Sequence, residues 1–208
     1  MTSELDQLYR LKKSDVLKAG EVASRAYIEV QEPYYFVFDN PNKRLKNYHY
    51  LCDFPIRYCV KYGEAYAPSS KIEGVAGWAF FQQYKIKAWQ AIRSGFLNTV
   101  FRTSGGSLKK ILSIINFQGK LHKRNINIPH WCFFILAIDP VHQGNRYASK
   151  LIRPMLSKID EVGYSCYLDT ASEKNVSIYQ HFDFEVVEKT IIPGVYLESW
   201  FMLRKIKK

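Results

Sequence analysis

From Val16 onward, Val16, Leu17, Ala19, Val22, Ala23 and Ala26 recur at helical spacing, which predicts a helix over 14–27 capped by Ser14. The segment QEPYYFVFDNPNK, bracketed by prolines, reads as a loop, and a second helix follows over about 44–62, kinked or split at Pro55. Alternation of period two then predicts strands over 64–67 and 72–81 around a Pro68-Ser69-Ser70 turn. Trp89, Ile92, Phe96, Leu97, Val100 and Phe101 fall on one helical stripe, and Leu108, Ile111, Leu112 and Ile115 on another after Gly105-Gly106. These stripes are expected to pack on the domain and leave the intervening lysines outside. The remainder predicts a strand over 131–138, a helix over about 145–162 and a strand over 164–169. A short helix over 172–182 and strands over 184–192 and 198–204 complete it. The pattern is that of a mixed α/β layer in one domain, 1–208, with a helical insertion at about 84–125 and no repeat or linker.

Composition supports a folded chain. Hydrophobic residues make up 47% of the 208 and aromatics 15%, enough for a substantial core. No apolar run reaches the ~18 residues of a membrane helix, and the polar N-terminus carries no signal-like apolar stretch. Cys52, Cys59, Cys132 and Cys166 show no CxxC pairing and read as buried free thiols of a cytoplasmic protein. The histidines have no ligand spacing, so no metal is expected.

Charge is uneven. The formal net charge is +11, yet no Asp or Glu occurs between Gly74 and Ile138, where Lys85, Lys87, Arg93, Arg102, Lys109, Lys110, Lys120, Lys123 and Arg124 gather. Such a block raises nucleic acid, an anionic membrane or an anionic ligand as partner. The preferred reading is a solvated face, or one that attracts a polyanionic cofactor, rather than a nucleic-acid or membrane surface.

Two stretches could carry chemistry. In IDPVHQGNRYASKLI a strand runs into a helix through Gly144, so successive N–H groups at the helix start could meet an anion. An ordinary strand–helix turn fits the pattern as well. Arg146 either strains the turn, if its φ is positive, or offers a two-pronged donor to phosphate. In SEKNVSIYQHFDF, Asn175 and Tyr179 share a helix face, with Thr170 or Ser172 as cap. Taken alone, Tyr179 and Phe182 read as core aromatics.

Together these stretches resemble the GNAT N-acetyltransferase superfamily, most closely from Pro129 to Lys205, and within it the branch containing puromycin N-acetyltransferase. The resemblance is carried by PHW at Pro129–Trp131, PVHQG at Pro140–Gly144, Pro154 and LDT at Leu168–Thr170. NVSIYQHFDF at Asn175–Phe184 and WFMLRK at Trp200–Lys205 follow in the same order. It implies a central, mostly antiparallel sheet splayed at a cofactor strand, with helices on both faces. It also implies acetyl-CoA as co-substrate. Leu136, Ala137 and Ile138 match backbone that binds the pantetheine. Gln143, Gly144, Asn145, Arg146, Tyr147, Ala148 and Ser149 match the pyrophosphate loop. Asn175 matches a cofactor-side amide, and Tyr179 the general acid toward the departing thiolate.

Three positions depart from the family pattern. Arg146 and Ala148 stand where later glycines of the loop are usual, Asp183 replaces a glycine, and the strand WCFFILAI has no acidic residue to act as base. Asp169 is the substitute base, with a water-mediated base as its rival. The resulting expectation is acetyl transfer to an amine of a small molecule, aminoacyl compounds included, by a monomer or homodimer. Tyr34, Tyr35 and Tyr196 are expected around the acceptor. A basic binding module on a degenerate fold is the alternative.

Overall fold

Strand β4 (His130–Ile138) organises the molecule because it is paired along its whole length on one side and only briefly on the other. On one side it lies antiparallel to β3 (Gly74–Phe81), itself antiparallel to β2 (Glu64–Ala67) and, beyond that, to a two-residue β1 (Tyr9–Arg10). On the other, β4 is parallel to β5 (Ser165–Thr170) only at His130–Cys132 opposite Ser165–Tyr167. Past Cys132 the two strands part. The sheet closes with β7 (Leu197–Arg204) beside β5 and β6 (Glu185–Ile192) at the edge, giving the order β1-β2-β3-β4-β5-β7-β6. The computed structural model describes residues 4–30, 33–38, 40–82, 86–102 and 105–206.

A bulge accompanies the parting. The β3–β4 register pairs Gly77 with Ile135 and Trp78 with Phe133, leaving Phe134 as an extra residue. Side chains therefore change phase along the strand: Trp131 and Phe133 share a face with Leu136 and Ile138, while Phe134 and Ile135 both turn to the opposite face. A uniform alternation would have put Leu136 on the other side.

The two faces are covered differently. Helix α6 (Tyr147–Glu161) and α7 (Glu173–Gln180) cover one, burying Leu151, Ile152, Met155 and Ile159 against Trp78 and Phe133. Trp78 and Phe133 stack with ring centroids 3.7 Å apart. Helices α1 (Val16–Val30) and α2 (Pro41–Tyr62) cover the other. Between β3 and β4 come α3 (Ala88–Arg93), α4 (Phe96–Arg102) and α5 (Gly105–Asn125). Helix α5 extends that second face through Ile111, Ile114 and Leu121.

Several expectations need adjustment. Ser14 is not a cap: it lies within a 3₁₀ turn, Lys13–Asp15, where Asp15 accepts from the Lys12 amide at 2.8 Å. Pro55 neither ends nor splits α2, which runs on to Tyr62. The stripe from Trp89 to Phe101 is broken at Gly95, whose φ of 86° ends α3 and starts a new helix. Trp89 and Ile92 are about half exposed and Phe101 is 81% exposed, while Phe96 packs edge to face on Phe54 at 5.8 Å, so only part of this stripe packs on the domain as its periodicity suggested. Tyr84 and Lys85 lie outside the described residues. Arg124 does find a counter-charge, the Glu188 carboxylate of β6.

The terminal WFMLRK segment has a structural task. Arg204, buried on β7, holds the Asp160 carboxylate of α6 through two bonds of 2.5 and 2.7 Å and donates from Nε to the Phe182 carbonyl at 3.1 Å. It ties α6 and the end of α7 to the sheet, which fixes the face carrying Tyr179. The four cysteines are free and buried, as expected. Among the described residues, no helix is long and apolar enough to cross a membrane.

Candidate active site

The gap between β4 and β5 is floored by neither strand, and a cavity of about 360 Å³ occupies it. Phe133, Ile135 and Leu136 line it from β4, and Leu168, Asp169 and Thr170 from β5. Asn175 and Tyr179 reach it from α7 on one face of the sheet. From the other face Tyr34, in the 3₁₀ turn Pro33–Val37, and Gln118 of α5 reach it too. The cavity thus joins both faces through the sheet.

Tyr179 is set by α7. Ser172 caps that helix, accepting from the Asn175 amide at 3.4 Å, and Asn175 and Tyr179 then project from one face four residues apart. The Tyr179 ring meets Phe133 edge to face at 5.9 Å. Asp183, three residues past the end of α7, is left-handed with φ of 65°, at the position where the family pattern has glycine.

Asp169 lies on the opposite face. Tyr34 donates to Gln118 Oε1 at 3.0 Å, and Gln118 Nε2 donates to Asp169 Oδ2 at 2.7 Å. The carboxylate is exposed, lining the cavity, although protein surrounds it on the β5 and α5 sides. Loss of solvation pushes its pKa up to about 6, against which the Gln118 bond pulls downward. A base and an acid therefore stand on either side of one gap.

The loop after β4 has the geometry of the strained alternative. Gly144 has φ of 81°, and Arg146, at the N-cap of α6, sits left-handed at φ 59°, ψ 16°. No side chain caps α6, so its first amides keep their donors for water or an anion. Asn145 braces the turn on the His142 carbonyl at 3.1 Å, and the Arg146 side chain is exposed. Tyr147, Ala148 and Ser149 form the first turn of α6, half-buried, with Ser149 Oγ accepting from Arg153. Gln143 is exposed at the loop's start. Ala137 is buried and Ile138 half-buried beside it at the end of β4, outside the cavity lining.

Two residues expected at the acceptor lie elsewhere. Tyr35 packs against Tyr48 and under the Arg44 guanidinium, 4.0 Å from its ring centre. Tyr196 is 85% exposed in the β6–β7 turn, with φ of 53°. Neither lines the cavity.

Two contributors were missed in the sequence. Gln118 stood in a helical stretch that reads as basic surface. His122, one turn further on, also lines the cavity, and its Nε2 lies 2.7 Å from that of His130. His130 Nδ1 is 2.7 Å from the Ile128 carbonyl, which can only accept, so His130 Nε2 is the acceptor and His122 Nε2–H the donor. Burial, followed by His130, drives the His122 pKa down to about 2, so both rings are neutral. They brace α5 against β4, and eight residues separate them with no spacing that signals contact.

No family model matches the chain. An uncharacterised N-acetyltransferase of Schizosaccharomyces pombe is 26% identical over 125 residues, 58% of this chain and 47% of that protein. The chain thus spans about half the length of this curated relative. A histone acetyltransferase HPA2-related acetyltransferase of Corynebacterium glutamicum superposes with a TM-score of 0.66 at 15% identity, covering 97% of both chains. Arylalkylamine N-acetyltransferase 2 of Aedes aegypti gives 0.61 at 14% identity, covering 96% of this chain and 98% of that one. The polyamine N-acetyltransferase of Drosophila melanogaster gives 0.61 at 10%, covering 96% and 99%. The fold is the mixed α/β fold of the GNAT acetyltransferases, a mostly antiparallel seven-stranded sheet opened at β4.

Proposed function

We propose that the protein transfers an acetyl group from acetyl-CoA to the amine of a small molecule. The observation that carries this reading is the cavity in the β4–β5 gap, with Tyr179 on one face and Asp169, held by Gln118, on the other. The uncapped α6 N-terminus fits an anionic cofactor, with the amides from Gly144 to Ser149 and the exposed Arg146 side chain available to its pyrophosphate, while the Gln143 amide is held by the Pro140 carbonyl. Backbone of β4 at Leu136, Ala137 and Ile138, unpaired toward β5, fits the pantetheine arm. Asn175 fits its amide side. The motif order of the puromycin acetyltransferase branch supports an aminoacyl or simple amine acceptor, as do solved folds named for arylalkylamine and polyamine substrates.

Bound acetyl-CoA would supply a thioester carbonyl as electrophile. The chain's own residues then handle two protons. An Asp169 carboxylate oxygen accepts the proton the acceptor nitrogen must lose as the C–N bond forms. The Tyr179 hydroxyl gives its proton to sulfur as the C–S bond breaks, and the phenolate is reprotonated from water. Magnitudes favour this division. A simple ammonium titrates near ~10.4, about six units above an ordinary carboxylate. Burial raises Asp169 to about 6. The same apolar wall lowers the ammonium, so both shifts shrink the gap to be crossed.

The test is a thiol-release assay across primary amines, with acetyl-CoA binding followed by thermal shift. Stabilisation by acetyl-CoA and amine-dependent release of free thiol are expected. Absence of any thermal shift at millimolar acetyl-CoA would sink the reading.

A further inference from the structure

The acceptor half of the cavity is more specific than a generic amine site. We infer that it takes a primary amine carrying a single positive charge on an uncharged apolar tail, an alkyl- or arylalkylamine, and discriminates against polyamines and lysine-like side chains. The inference rests on the acetyl-transfer reading above and names its substrate class.

Charge comes first. Among the described lining residues Asp169 is the only ionised side chain. It sits at the gap, where the reacting nitrogen must be, so one ammonium can be paired and a second cannot. His122, the histidine of that lining, is neutral and already bonded to His130.

Beyond the gap, the wall against α2, α4 and α5 is made by Leu51, Phe54, Phe96 and Ile111, with the partly solvent-exposed Leu112 and Ile115 at its outer side. Its polar side chains are occupied by protein partners. Thr99 donates to the Tyr50 carbonyl at 3.1 Å, and Tyr27 to the Leu136 carbonyl at 3.0 Å. Gln118 uses one end on Tyr34 and the other on Asp169. A polar or charged tail would lose its water without gaining a partner, whereas a hydrocarbon tail loses nothing. A volume of about 360 Å³ limits the whole to small-molecule dimensions.

The decisive comparison keeps chain length and adds one charge: hexylamine against 1,6-diaminohexane, with propylamine for the methylene increment. Both catalytic efficiency, by thiol release, and amine affinity without acetyl-CoA, by calorimetry, are measured. Each methylene should add about fourfold, corresponding to ~0.8 kcal/mol per buried CH₂. Hexylamine should exceed the diamine by at least ~100-fold, because the second ammonium would face an apolar wall with no counter-charge among the described lining residues.

Ile115→Asp, one turn before Gln118 on α5, places a carboxylate in the apolar wall and should raise the diamine-to-monoamine ratio at least tenfold. Leu112→Asp, at a half-exposed position a turn earlier, serves if the first variant does not fold. A diamine that matches or beats hexylamine in affinity and turnover would overturn the inference while leaving acetyl transfer intact. Absent acetyl-CoA binding with no thiol release from any amine would instead count against the transferase reading, and the calorimetric ratio would still decide the charge preference.

Discussion

Gln118 Nε2 donates to Asp169 Oδ2 at 2.7 Å, linking a helix inserted between β3 and β4 to the end of the strand that β4 abandons. The bond spans 51 residues of sequence and does two things at once. It aims the carboxylate into the gap, and it holds down a pKa that burial alone would raise further. The insertion is thereby part of the site, because without α5 the proposed base would have neither its orientation nor its wall.

Asp169 therefore predicts a pH dependence with a definite sign. Its folded pKa, about 6, is above the unfolded ~3.9, so the folded state binds the proton more tightly. Stability from this group is full below the unfolded value and is lost as pH rises through about 6. Asp169→Asn should accordingly melt higher than wild type above pH 6, with the difference vanishing below about pH 4. Activity should move oppositely: catalytic efficiency in the wild type falls as pH drops through about 6, and the Asn variant loses ~10²-fold or more at pH 8. Melting curves that stay parallel from pH 4 to 8 would remove the account of a raised Asp169 pKa.

Gln118→Leu separates positioning from packing. Leucine fills similar space in a wall that is already apolar, but the donor to Asp169 is gone. The acidic limb of the pH–rate profile should shift above 6, because the interaction that lowers the pKa has been removed. Gln118→Glu should shift it further by adding a like charge. A profile that stays in place while activity merely drops would assign Gln118 to packing.

How much of this could be read from sequence follows from the range of the forces involved. The β4-loop-α6 and β5-α7 units were legible because their signals are local: alternation, one glycine, a cap three residues from the amide it accepts from. Helical spacing put Asn175 and Tyr179 on one face, but their roles came from the resemblance, since Tyr179 taken alone reads as a core aromatic. Asp169 as base came by elimination, and its environment could not be foreseen, since the atom holding it lies on a helix 51 residues away. The bulge at Phe134 was hidden because a run as apolar as WCFFILAI looks the same in either phase. The stripe from Trp89 to Phe101, of which Phe96 packs and Phe101 does not, misled in part for the converse reason. Periodicity reports that a face is apolar, not that anything covers it, and Gly95 broke the helix that would have carried it.

Arg146 offers a test in which strain and charge give opposite signs. At φ 59° a non-glycine residue costs ~1–2 kcal/mol, part of which glycine returns through its unfolded-state entropy. Arg146→Gly should stabilise the apo protein by roughly 0.5–1 kcal/mol in denaturant titration. If the guanidinium meets pyrophosphate, both Arg146→Gly and Arg146→Ala should weaken acetyl-CoA binding by about tenfold, the loss of one charge-assisted bond. Only the glycine variant should gain stability. Unchanged affinity in both variants would leave the backbone amides of α6 as the sole phosphate contact.

Tyr179→Phe addresses the other side of the gap. The ring is buried against Phe133 and Phe184, with centroids 5.9 and 6.0 Å away, and the substitution keeps it. What is lost is the one proton that α7 can deliver to the cavity from Tyr179, four residues beyond Asn175. The expected outcome is a fall in kcat of ~10²–10⁴-fold at saturating amine, with acetyl-CoA affinity nearly unchanged, because the contribution is made in the transition state. A second readout separates chemistry from packing: the loss should shrink with acyl donors whose leaving thiol is more acidic, since such a thiolate departs with less need of a proton. A loss that is uniform across donors would point to displaced packing around Phe133. Full activity in Tyr179→Phe would return the tyrosine to the core and make water the proton donor.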